Sequence, residues 1–476
     1  MNKPIKGSGF FKLLHVLTNC GRWRDSPLRP ATIGVPTVRQ QFEMYPIKGK
    51  KIYLLFFAFI AMTVACTEPG NKKLEEKTLI NSTHLNHLYF PVIFKTTGVK
   101  AAGIYIYAEA PDYHLTGDSD EGFTCVDDVS RALLFYVRSS AFFSDTAVQN
   151  KSLKLLRFLL EMQSPEGYFY NFLFPDGSIN KDHVNSTATP NWWSWRALHA
   201  LTEASPLLKK IDAQVYEEVN TAINKLVTKI KTDLVHLPKA TKIVSGILVP
   251  QWLPGGSGTD QAALLIISLI PYAKTSNDTS IIKFIRKLSD GIVMMQHGDQ
   301  KNLPYSCFLS WENTWHAWGN DQSFALLQAG AFLNDTTYTN KALAEINNFY
   351  PWLLQKGMRT SFEVIRDVGR IRLVNEKRFD QIAYGIRPMV FASIEAYRQT
   401  GEEKYAGIAA KLAAWFFGAN APGITMYDSA TGRCYDGIIS QNNINRNSGA
   451  ESTIEALLTI QVIEQYPAIK AALKKY

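Results

Sequence analysis

Apolar residues recur at spacings of three and four along most of the chain, the pattern of helices that bury one face. That period predicts helices over 126–141, 148–163, 191–204, 211–231, 260–273, 278–297, 321–332, 337–356, 381–399, 403–418, 449–464 and 467–475. They fall into six pairs. Connections within a pair are mostly short, and those between pairs are longer and rich in Gly, Pro, Asn and aromatic residues. Period-two alternation is confined to short patches such as Gly103–Tyr107. The expected class is all-α.

A weak internal repeat supports the pairing. Thr259-Asp260-Gln261-Ala262, Asn320-Asp321-Gln322-Ser323 and Phe379-Asp380-Gln381-Ile382 each open the first helix of a pair. Asp127-Asp128, Asn191-Trp192 and Gly449-Ala450-Glu451-Ser452 hold the matching places in the remaining pairs. The openings fall roughly 60–70 residues apart, a period of stacked supersecondary units. An open solenoid needs polar capping repeats, and the terminal pairs do not have that character. The expectation is therefore a closed (α/α)6 toroid over residues 89–476. Taken singly, each acid at a helix start reads as a cap that contributes about 1 kcal/mol. In a ring, however, the inner-helix starts meet at one mouth. Four to six carboxylates converging there are costly unless they serve chemistry.

Composition changes the picture at the N-terminus. The formal charge is +9, but ten of the 51 Lys/Arg and only two of the 42 Asp/Glu lie in residues 1–65, leaving 41 against 40. Nucleic acid is therefore not an expected partner. Lys48, Lys50 and Lys51 precede an apolar run from Ile52 to Met62, then Thr63, Val64, Ala65 and Cys66. A basic flank, a short apolar stretch and small residues make a signal segment. The Cys after them resembles a bacterial lipobox, with Thr63 where Leu is commoner. This reading makes 44–65 a lipoprotein signal, 1–43 an extension upstream of a start at Met44, Cys66 the lipidated residue, and 66–88 a tether. The expected place is the cell envelope, with the membrane reached through the lipid. Cys125, Cys307 and Cys434 form no disulfide framework; they read as small buried residues, and Cys125 with Cys434 is the pair that could close.

Four stretches carry the chemistry: Gly122 to Ala132 with Asp127, Asp128 and Arg131; Gly167 to Phe172 with Asn171, followed by Asn191 to Leu198; Trp311-Glu312-Asn313 running into Asn320-Asp321-Gln322; and Trp415 to Thr453, which contains Asp436, Asn445-Arg446-Asn447 and Gly449-Ala450-Glu451. In this order they resemble the six-hairpin (α/α)6 domains found behind many bacterial glycosyltransferases and as free-standing members of the six-hairpin glycosidase superfamily. The likeness spans roughly residues 90–465 and implies that superfamily, without fixing a substrate or a catalytic pair.

The residues fit that chemistry on their own terms. Glycoside cleavage needs one protonated and one ionised carboxyl, about 6.5–9.5 Å apart when the anomeric configuration inverts. Glu451 is the expected acid and Asp127 or Asp128 the base, with Asp321 and Asp380 as rivals and Asp260 behind them. Trp192 and Trp311 are expected to stack on a sugar face, and Trp195 and Trp318 to fill core. Glu312, Asn171, Arg131, Arg446, Asn447, Gln322 and Gln381 complete the candidate sugar contacts. Arg131, Arg196, Arg387 and Arg446 are equally suited to holding carboxylates. No metal or cofactor is implied, and a monomer is expected.

Other classes fare less well. A zinc toroid would use Cys307, His316 and Cys434, which lack compact ligand spacing. An epimerase would place facing histidines at inner-helix starts, and His114, His183 and His316 do not fall there. A polysaccharide lyase using Tyr384 or Tyr435, and a lipid-anchored glycan-binding protein, stay open.

Overall fold

The computed structural model describes residues 78–476. The signal segment, Met44 and Cys66 lie outside them. The helical pairs are α1 (Val126–Val137) with α2 (Thr146–Glu161), α3 (Trp192–Leu208) with α4 (Ala213–Ile230), α5 (Thr259–Ser276) with α6 (Thr279–Met294), α7 (Gln322–Leu333) with α8 (Thr336–Lys356), α9 (Arg387–Thr400) with α10 (Glu403–Ala413), and α11 (Ala450–Ile463) with α12 (Pro467–Leu473). Each odd-numbered helix packs on the next odd-numbered one, and α11 packs on α1. The six inner helices therefore close a ring, and each carries its partner on the outside: an (α/α)6 toroid.

Sequence explains which helix goes where. Every residue of α1 is buried, whereas α4 buries only Val215, Val219, Ala222, Ile223, Leu226, Val227 and Ile230, a single stripe. Helices apolar all round belong inside, and striped ones cover them. The turns joining inner to outer helices repeat one short word. Asn277 and Asn334 end α5 and α7 in the left-handed region (φ 51° at both), and Gly401 ends α9 at φ 72°. Asp278 and Asp335 follow the two asparagines and cap the next helix through their side chains. Asp145 and Asp212 cap α2 and α4 in the same way. Capping aspartates thus open outer helices. None of the six residues preceding an inner helix makes a side-chain cap bond. Capping does not account for the inner acids.

Three features depart from expectation. Residues 79–88, assigned to the tether, belong to the folded unit. Leu85 and Leu88 are fully buried, Leu79 N–H donates to Glu464 Oε1 at 2.7 Å, and His84 Nε2 meets the Ser448 carbonyl at 2.7 Å. The hairpin of β1 (Tyr89–Ile93) and β2 (Lys100–Ile104) follows, with β2 against α2. The loops between pairs also hold more strand than the pattern suggested: β3 (Thr241–Val244) pairs with β4 (Ile247–Pro250), and β5 (Thr314–His316) joins β6 (Ser361–Asp367) and β7 (Arg370–Lys377) in one sheet. Finally, the Phe379–Ile382 segment does not open a helix. Gln381 exchanges backbone bonds of 3.0 and 2.8 Å with Ile438, and Ile382 is extended. That bridge holds the chain straight, one 3-10 turn over Ala383–Gly385 follows, and α9 begins at Arg387.

Beneath α7, Glu345 of α8 is buried between the Phe308 N–H at 2.8 Å and the Ser323 hydroxyl at 2.7 Å. Burial pushes its carboxyl up to about 7. The unfolded chain ionises first as pH rises, so stability present below the unfolded pKa is lost as pH climbs through the folded one. Glu345→Gln keeps an acceptor for Phe308 and removes the titration. Urea unfolding should show the variant gaining on the wild type between pH 5 and 8, by about 1–3 kcal/mol at the upper end. A difference independent of pH would contradict this.

Candidate active site at the ring closure

Where α11 meets α1, the acids of the two helix starts share one cation. Arg131 Nη1 lies 2.5 Å from Asp128 Oδ1, and Nη2 lies 2.7 Å from Glu451 Oε2. Its Nε lies 3.1 Å from Glu455 Oε1. Residues three and four apart share a helix face, so Asp128 with Arg131 and Glu451 with Glu455 interlock through a single guanidinium. Glu455 also binds Nε of Arg387, whose two terminal nitrogens each stand 3.4 Å from an oxygen of Asp321. Arg196 of α3 puts Nε 3.2 Å from Asp127 Oδ1.

Tyr384 stands among the three arginines, with the guanidinium carbons of Arg131, Arg196 and Arg387 at 5.2, 5.2 and 5.6 Å from its ring centre. Three buried cations so close together require the carboxylates around them. Burial pushes Asp321 up to about 6 despite Arg387, and raises Asp128 despite Arg131. Asp128 accepts from Arg131 on one oxygen and from the Cys125 thiol at 3.2 Å on the other. Cys125, Cys307 and Cys434 are all buried with free thiols.

Access sorts the acids. Asp128, Asp321 and Glu455 are 4%, 0% and 0% exposed. The side chains of Glu451 and Asp127 keep 21% and 12%. Asn171 holds Asp127 from the neighbouring loop: its Oδ1 accepts the Asp127 N–H at 3.2 Å and its Nδ2 stands 3.4 Å from Oδ2.

The structure brings Asp127, Asp128, Arg131, Asn171, Asp321 and Glu451 into one cluster and leaves other candidates outside it. Asp260 meets His316 Nε2 at 3.0 Å, and His316 Nδ1 donates to the Trp318 carbonyl at 2.7 Å while its ring stacks on that indole. Asp380 is half-buried in a crevice with Trp318, Thr360 and Ile386. Gln381 spends its side chain on Trp415 Nε1 and the Arg378 carbonyl. Trp311 is half-buried with its Nε1 donating to Gly255, and Glu312 pairs with Lys242 at 2.5 Å. Asn447 Oδ1 accepts the Ala110 N–H at 3.0 Å, and exposed Arg446 lies over Tyr435. Glu455 and Tyr384 complete the cluster. Glu455 had a signal in the sequence, a lone acid one turn beyond Glu451 in an apolar helix. Tyr384 had none that tied it to the arginines.

A further set of atoms marks this end of the barrel. Among the described residues, Asn191 Oδ1, Trp192 Nε1, Arg196 Nη1 and Nη2, Asn320 Oδ1, Gln322 Oε1 and Tyr384 Oη are buried without a hydrogen-bond partner. All sit in or beside the first turns of α3, α7 and α9. Folded proteins leave few polar atoms in this state. Gathered donors and acceptors of this kind suit a hydroxyl-rich ligand.

No family model matches the sequence, and no curated protein does. Solved structures match in shape. A sugar epimerase from a ruminal bacterium is 13% identical with a TM-score of 0.54, over 79% of this chain and 94% of its own. A D-mannose isomerase is 12% identical at 0.53, over 84% of this chain and 100% of its own. The cellobiose 2-epimerase of Spirochaeta thermophila is 11% identical at 0.52, over 78% and 91%. The likeness is one of fold: the chain is a six-hairpin (α/α)6 toroid, the architecture that its motifs led us to expect.

Proposed function

We propose that the protein is a glycoside hydrolase working at the mouth where the inner helices begin, with Glu451 and Asp127 as carboxyls that reach substrate. The observation that carries this is the convergence of acids that cap nothing, beside buried polar atoms that lack partners. Two carboxyls with different environments are what glycoside cleavage requires, and inversion is the course this reading takes. Asp128 and Asp321, closed off by arginines, are positioning residues in this reading.

Epimerisation or isomerisation, the activities in the names of the similar structures, is the second reading. Moving a proton on carbon calls for a base that titrates near neutrality, most often histidine. His316 is held by Asp260 and the Trp318 carbonyl, apart from the cluster around Arg131, Arg196 and Arg387, which favours hydrolysis. An oligosaccharide panel followed by mass and anomeric NMR separates the two. Released sugar supports hydrolysis; a changed configuration without release supports epimerisation; binding with neither supports a glycan-binding protein.

We also propose that the protein is exported and anchored through Cys66. Expressed with its own leader in a bacterium fed an alkyne fatty acid, the wild type should take up label into the membrane fraction, and Cys66→Ser should lose it completely. Equal labelling of both proteins would count against the anchor.

A further inference from the structure

We propose that Asp436 is the proton donor of this site and that Glu451, bound to Arg131, is the base that takes a proton from water. This rests on the hydrolase reading and reverses the role that sequence assigned to Glu451.

Asp436 comes from the loop before α11, yet it sits on the first turn of that helix. Its Oδ1 accepts the Gly449 N–H at 2.7 Å and the Ser452 hydroxyl at 2.5 Å, on either side of Glu451 in sequence. Gly449 is required by the neighbouring backbone, since a Cβ there would stand 2.5 Å from the Ile106 carbonyl oxygen, whereas at 3.5 Å from Asp436 Oδ1 it would only be in ordinary contact. The other oxygen, Oδ2, has no hydrogen bond among the described residues.

The pairing pattern singles Asp436 out. Asp127 has Arg196, Asp128 and Glu451 have Arg131, Asp321 has Arg387, and Glu455 has both Arg131 and Arg387. Asp436 has no ion pair among the described residues. The titratable groups that face it are Glu451 from α11, Asp128 from α1 and, from its own loop, the buried Cys434 thiol, none of them a cation. The segment after β2 meets this helix start through backbone, the Ile106 carbonyl accepting from Ala450 N–H and the Ala108 carbonyl from Ser448 N–H. A carboxyl without a cation beside two acids is the one that keeps its proton. Burial pushes it up to about 6, against the two bonds that favour the ionised form.

The step balances without a cofactor. The Asp436 carboxyl gives its proton to the glycosidic oxygen as the bond to the anomeric carbon breaks. Glu451 accepts a proton from the water whose oxygen forms the new bond to that carbon. Exchange with solvent resets both groups, and the net reaction is addition of water.

Asp436→Asn tests this, because the amide oxygen can still accept both bonds. On a glycoside with a poor leaving group, kcat/KM should fall about 10²–10⁴-fold. On an activated aryl glycoside, which needs little protonation, the loss should stay within about tenfold, and the alkaline limb of the pH profile should vanish. Ser452→Ala removes one donor to the ionised form and should move that limb up by roughly 0.5–1 unit. Carbon NMR of Asp-labelled protein, which needs no turnover, should lose one titrating carboxyl in Asp436→Asn. Equal losses on both substrates, a retained limb or an unchanged titration would overturn the donor assignment while hydrolysis stands. A carboxyl that titrates in a wild type that cleaves no glycoside would overturn the hydrolase reading and the donor role with it.

Discussion

Replacing Arg131 by methionine should cost about 3–5 kcal/mol of folding stability, because it strands buried charge. The guanidinium is 1% exposed and serves Asp128, Glu451 and Glu455 at 2.5, 2.7 and 3.1 Å. Methionine fills much of the volume and returns none of those contacts. Asp128 and Glu455 have no solvent to fall back on. A loss of this size is a large share of what holds an ordinary domain folded. Arg196→Met is the internal control. Arg196 is equally buried but carries one ion pair, to an aspartate that Asn171 also supports. It should cost less than half as much in the same denaturant titration. If the two substitutions proved equal, burial of the aliphatic stem would explain both, and the shared guanidinium would not be the clasp of the ring.

That clasp shows how far the sequence could be read. The ring and its hairpins follow from helical periodicity and from the repeated acid at the openings, because an all-round apolar helix has no place but the inside of a barrel. The adjacency of Asp128 and Glu451 also follows, since closing six hairpins brings the first and last inner helices together. Reading Asp380 as a helix opener failed because a backbone bridge from Gln381 to Ile438 straightens the chain there, and that partner lies far along the sequence. The β6–β7 hairpin escaped notice between two long helical patterns, although Ser361 to Asp367 does alternate. Asp436 carried no periodic signal at all. The role proposed for it depends on a loop folding one carboxylate back over the start of the helix that follows it, a relation that helical spacing cannot encode. The arginines were legible as partners for acids but not as a set around one tyrosine ring, which takes three helices to assemble.

The second large effect concerns Glu451. Glu451→Gln should lower kcat by about 10²–10⁴-fold on any glycoside the wild type cleaves, while ligand affinity by calorimetry changes only a few-fold. The amide oxygen can still accept from Arg131, so the clasp and the fold survive, and the loss falls on the chemical step. Because water rather than the leaving group depends on this residue, good and poor leaving groups should suffer alike, unlike the pattern expected for Asp436→Asn. Asp321→Asn, at a carboxyl with no solvent access, should instead show its main effect in unfolding. Unaltered turnover in Glu451→Gln would remove the residue from catalysis. Binding retained by both proteins, with no sugar released by either, would make this mouth a glycan-binding site whose carboxylates only hold three arginines in place.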